Sequence, residues 1–176
     1  MSHVRRSALR LLGVASLVCI LAGTALADPV LDWNDIALQS IRIDKTAPPK
    51  ASRGLAMVHL AIASASQLVD LSRPTRAEHG TELARAAAVS SAAHDVLVAL
   101  FPAQKENCDR DLERVLATIP DGLAKTRAIR IGALTAARVI AERADDGWDA
   151  VVTYTPGGAP GEWRPTPPGF LPALLP

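Results

Sequence analysis

The chain has 176 residues, 49% of them hydrophobic and 21% charged, with a formal net charge of +1. That length bounds it to one domain, or one domain with appendages. Near-neutral charge excludes the strong basic surplus that a nucleic acid or an anionic membrane surface would require.

Residues 1–27 read as a secretory signal peptide. Arg5, Arg6 and Arg10 form a positive region, Leu11 to Ala22 an apolar core, and Ala25-Leu26-Ala27 a small-residue cleavage site. The apolar run is short for a spanning helix, so no membrane segment is expected after cleavage. Arg5-Arg6 leaves the twin-arginine and general export routes both open. Val18 before Cys19 argues against a lipoprotein cysteine. Removal of residues 1–27 takes three of the nineteen basic residues and no acid. Sixteen basic against eighteen acidic residues then leave about −2. Cys108 is the one cysteine in the remainder, so no internal disulfide can form there, and it reads as a partly buried small residue.

Prolines punctuate the rest. Pro48-Pro49, Pro74, Pro102 and Pro120 divide it into segments that each carry apolar residues at helical period. Asp32 or Asn34 is a candidate cap for a first helix, with Ile36, Ile41 and Ile43 among its apolar positions. After Pro49, the set Leu55, Val58, His59, Ile62, Ser66 and Val69 forms a stripe. Gly54, Ala56, Ala61, Ala63 and Ala65 on the same helix suit close helix–helix approach. An alanine-rich helix is expected from Thr75 to Phe101, and Pro102 starts another with Leu112, Val115, Leu116 and Ile119 inside. The last helix is expected from Leu123 to Ala144, closed by Asp145-Asp146-Gly147. Apart from Ala150–Tyr154, no alternating strand pattern appears. The expected class is therefore all-α: a small antiparallel helical bundle over 28–149, followed by an extended Pro/Gly-rich arm over 150–176.

Seven prolines and four glycines lie between Tyr154 and Pro176, so neither helix nor central strand can run through. The same stretch holds Tyr154, Trp163, Phe170, Leu171, Leu174 and Leu175, which a plain linker would not need. It reads as an arm with apolar anchors, made to lie against a surface.

The polar constellations are weak. His59 and His94 could meet across the bundle, but no metal-ligand spacing supports them and structural hydrogen bonds account for them better. Glu106, Arg110, Asp111, Glu113 and Arg114 make exposed pairs along one helix. Asp145, Asp146 and Asp149 lack the spacing of a calcium loop. No nucleotide-binding or serine-hydrolase motif is present, and no catalytic, cofactor-binding or metal-binding residue is assigned.

Five stretches carry a family resemblance: Leu31–Asp44, Arg53–Ile62, Ala92–Pro102, Arg143–Pro168 and the closing Phe170–Pro176. Together they resemble the N-terminal helical region of vanadium-dependent haloperoxidase-like proteins, within the type 2 phosphatidic acid phosphatase superfamily. The most specific element is Tyr154–Pro176. The resemblance implies a periplasmic or secreted all-α protein whose relatives hold vanadate or a phosphoryl group in a second helical bundle. That bundle carries a Lys seven residues before Arg-Pro, then Pro-Ser-Gly-His, then Ser-Arg with a His six residues beyond the Arg and an Asp four residues beyond that. Cations and a glycine N–H there neutralise a tetrahedral oxyanion.

Pro-Ser-Gly-His is absent from this chain. Ser66 and Gly157 stand where the lysines of Arg73-Pro74 and Arg164-Pro165 would be, and Leu83 replaces the aspartate after Ser72-Arg73 and His79. The resemblance thus implies a non-catalytic scaffold region, truncated or split from its catalytic bundle, with the arm docking on that bundle. Vanadate or phosphate is expected only in the bundle. A free-standing periplasmic binding or accessory protein is the alternative, a gene product without a selected role is a third, and a homo-oligomer stays open.

Overall fold

A computed structural model describes residues 28–72 and 78–173, with the side chains of Glu78 and His79 left out. The expected signal peptide, the expected helix start at Thr75, and Leu174 and Leu175 lie outside the described residues. The described residues are all-helical, with five α-helices and no strand. These are α1 (Pro29–Asp44), α2 (Pro48–Leu71), α3 (Glu78–Leu100), α4 (Lys105–Ala117) and α5 (Leu123–Glu142). A single 3-10 turn, Pro102–Gln104, leads into α4.

Proline sets three of the boundaries. Pro29, Pro48 and Pro102 each occupy the first turn of a helix, where the missing N–H has no intrahelical acceptor to lose. The start of α1 differs from the sequence expectation. Asp28, not Asp32 or Asn34, is the cap, and its Oδ1 accepts the Val30 N–H at 2.9 Å. Trp33, Ala37 and Ser40 are buried at i, i+4 and i+7, Ile36 and Ile41 are half-buried, and Ile43 is exposed. At the other end Lys45 takes the left-handed conformation (φ 54°) and donates to Arg42 O, before Pro48 begins α2.

Helix α3 is the hub, packing against α1, α2, α4 and α5. Its inner positions are mostly small: Ala84, Ala87, Ala88, Ser91, Ala92 and Ala93 are all buried. Small side chains bury little area each but let backbones come close. The closest approach is to α5 at Gly132. A Cβ there would lie 2.7 Å from Ser91 Cβ and 2.9 Å from Ala92 N, and closer still to the Ala88 carbonyl. Only glycine fits. The small residues of α2 divide between two faces: Gly54, Ala61 and Ala65 turn inward, whereas Ala56 and Ala63 are exposed beside Leu60, Leu68 and Leu71. Of the expected α2 stripe, Val58, Ile62 and Val69 are buried, while Leu55, His59 and Ser66 sit half-buried at its border.

Helix α2 and residues Gly80–Leu100 of α3 are long and apolar enough to cross a membrane by length and composition. Both contribute the principal buried residues of the core, which gives the same composition. After Glu142 the described chain consists of turns and irregular backbone, including Ala150–Tyr154, where the sequence alternates but no strand forms.

Candidate functional site

Three places carry polar or exposed apolar groups in excess of what packing needs. The first is the C-terminal segment. Its root is fastened to α2. Arg53 Nε and Nη2 reach the two carboxylate oxygens of Asp146 at 2.9 and 3.2 Å, and Nη2 also donates to the Arg143 carbonyl at 2.6 Å. The guanidinium of Arg53 and the ammonium of Lys50 each lie 4.9 Å from the centroid of the Trp148 ring, a double cation–π contact. The bonds from Arg53 hold the Asp146 carboxyl below the usual carboxylate range. Of the three aspartates that superficially resemble a calcium loop, Asp146 is thus the centre of a latch with Arg53.

Beyond the root the segment bends back on itself. Tyr154 and Trp163 meet edge to face at 5.7 Å, and the Tyr154 hydroxyl donates to the Trp163 carbonyl at 3.2 Å. Glu162 accepts from Ala159 N–H at 2.8 Å and closes the bend between them. Tyr154, Trp163, Pro167, Pro168 and Leu171 line a cleft of about 660 Å³ within the segment. None of these apolar side chains is packed away: Trp163 is 43% exposed, Phe170 63% and Leu171 74%.

The second place is the histidines. They do not meet. His59 Nε2 bonds Asn34 Oδ1 at 3.1 Å and ties α2 to α1. His94, on α3, lies between two carboxylates, with Asp95 at 2.7 Å from Nδ1 and Asp109 of α4 at 2.9 Å from Nε2. Lys105 Nζ completes the row at 2.6 Å from Asp109, and the Trp33 ring stands edge-on to His94 at 6.3 Å. The bond to Asp95 raises the His94 pKa, burial opposes it, and the bond to Asp109 adds to the rise. Lys105 and then His94 lower that of Asp109. This row staples α4 to the α3–α1 pair. Next to it Cys108 is fully buried, not partly as expected, and burial pushes its thiol pKa up, away from the reactive thiolate.

The third place is a groove of about 940 Å³ between α1, α3 and the end of α4. Trp33, Ile36, Leu83, Val89, Val115 and Ile119 make its floor. Its rim carries Asp28, Asp32, Asp35, Glu82 and Asp111 against Arg85 and Arg114. Arg85 is bonded to Glu82 and to Asp70 (2.6 Å), which raises its pKa, and Arg114 is paired with Asp111 at 2.7 Å. The side-chain carboxylates of Asp32 and Asp35 have no hydrogen-bond or ion-pair partner among the described residues. Sequence reasoning missed this groove because its acids come from three helices; the one local signal was the Asp32–Asp35 spacing.

No family model, curated protein or solved structure matches the chain. The resemblance to haloperoxidase-like proteins expects vanadate or phosphate only in a separate catalytic bundle, and the groove of this chain does not suit such an oxyanion. The guanidiniums of Arg85 and Arg114 are both neutralised by carboxylates in a rim with an acidic surplus, which repels a tetrahedral oxyanion. Of the Ser72-Arg73/His79 pattern, Arg73 and the His79 side chain lie outside the described residues, and Ser72 Oγ is turned to the Val69 carbonyl at 2.9 Å. Among the described residues no group of three His, Cys, Asp or Glu side chains is placed to hold a metal ion.

Proposed function

We propose that this chain is an exported all-α scaffold, an antiparallel bundle over 28–149 with an arm over 150–176 that docks on a catalytic helical bundle of the haloperoxidase or phosphatase kind. The observation that carries the reading is the exposure of Trp163, Phe170 and Leu171 next to a body whose own core is closed. Large apolar groups held out of a core are the anchors an interface uses. The apolar outer face of α2, with Leu60, Leu68 and Leu71 exposed, supplies a second area of the same character. The short connection between α1 and α2, which pack on each other, favours an antiparallel pair. The resemblance of Tyr154–Pro176 to haloperoxidase-like proteins names the partner. The oxyanion belongs to that partner, and the scaffold alone is not an enzyme.

Calorimetric titration of the chain with a purified haloperoxidase-type catalytic bundle tests the reading. Trp163→Ala should weaken the complex about tenfold or more, as removal of a central aromatic anchor does. An unchanged affinity would count against docking. Vanadate-dependent bromide oxidation or aryl phosphatase activity by the purified chain alone would overturn the non-catalytic assignment.

The second reading, a free-standing periplasmic binding protein, is favoured by the groove between α1, α3 and α4, whose volume and apolar floor are those of a ligand site.

A further inference from the structure

We infer that the groove between α1, α3 and α4 binds a small cationic amphiphile: an apolar body ending in an amine or quaternary ammonium group. The inference extends the binding-protein reading and is independent of arm docking. Size comes first. About 940 Å³ lies within the range that encloses a small molecule and is too little to seat a folded partner. On the floor, half-buried Ile36, Leu83 and Val115 offer apolar contact and no charge, backed by the buried Trp33, Val89 and Ile119.

The rim sets the sign. Five carboxylates face two guanidiniums, and the pairing leaves specific groups over. Glu82 and Asp111 are held by Arg85 and Arg114, and Asp28 caps α1. Asp32 and Asp35 remain, three residues apart on one face of α1 and both exposed. Like charges at that spacing repel, and Asp35 lies beyond the first turn where the helix dipole would favour it. A cation seated beside them relieves the repulsion while its apolar body covers the floor. With the α-ammonium that cleavage after Ala27 leaves on Asp28 counted, an anionic ligand would still meet a surplus of two negative charges.

Titration calorimetry at low salt tests this, with decyltrimethylammonium below its micelle concentration and decanoate as the anionic counterpart. We expect one site per chain and binding of the cation about tenfold tighter than that of decanoate. Asp32→Asn combined with Asp35→Asn, at exposed positions checked for unchanged helicity by circular dichroism, should weaken it about fivefold. Sodium chloride at 0.5 M should weaken wild type more than the double variant. Equal binding of decanoate, or an unaffected double variant, would overturn the cationic assignment and leave the groove an apolar site. Tighter binding of a peptide with the sequence of residues 1–27, which is also cationic and apolar, would overturn the small-molecule assignment. Saturable binding of none of them would sink the binding-protein reading as well.

Discussion

The helical body and the C-terminal segment use side-chain size in opposite ways. In the helical stretch up to Glu142, contact is made by small residues, and its two large aromatics, Trp33 and Phe101, are buried. In the segment, Trp148, Tyr154, Trp163 and Phe170 are all more than a third exposed, and backbone regularity is absent. The body gains stability from close backbone approach around α3 and one central indole. The segment gains almost nothing for the body beyond its root at Arg53. Large apolar groups placed where they do not stabilise their own fold are available to something else, and that contrast is the basis of the docking proposal.

The contrast should break most visibly at Trp33. Trp33→Ala removes the largest fully buried side chain of the core, and urea unfolding should show a loss of about 3–5 kcal/mol. A loss below 1 kcal/mol would mean that the body does not close around α1. Gly132→Ala should cost about 1–3 kcal/mol, because the new methyl meets the backbone of α3 and not a movable side-chain end. Arg53→Ala should cost about 1 kcal/mol through the lost cation–π contact and red-shift Trp148 emission as the root loosens.

His94 sharpens the comparison through pH. Its pKa is raised in the folded state, so the protonated form is favoured by folding. The resulting stabilisation is fully present below the unfolded value, about 6.5, and is lost as pH rises through the folded value. Thermal midpoints should therefore fall from pH 6 toward pH 8 in wild type, and fall less in His94→Gln. Asp109 acts oppositely. With a lowered pKa, it stabilises above about 3.9 and loses that contribution as acid titrates it. The smallest effect belongs to the segment: Trp163→Ala should change unfolding stability by no more than about 0.5 kcal/mol.

The sequence announced the helices well because proline marks their starts and alanine and leucine fill their interiors. It placed the start of α1 late because Asp32 and Asn34 are as good cap residues as Asp28, and so left Trp33 out of the helical apolar set. The split of small residues on α2 into buried Gly54, Ala61 and Ala65 and exposed Ala56 and Ala63 was not legible, since alanine carries no polarity to mark a face. The histidine row was half legible. His94-Asp95 is adjacent in sequence, but Asp109 and Lys105 arrive from another helix. The latch and the groove depend on residues up to 93 positions apart, as Arg53 and Asp146 are, and no local pattern encodes such pairing.

Hydrogen–deuterium exchange resolved along the full chain tests the central contrast most directly. The account predicts slow exchange for the buried turns of α3, from Ala84 to Leu97, and fast exchange from Val151 to Ala173, apart from the bonded amides of Ala159, Glu162 and Phe170. Protection of Val151–Ala173 comparable to that of α3 in the isolated chain would mean that the segment is already packed on its own body, and would contradict the proposal that it is held out for a partner.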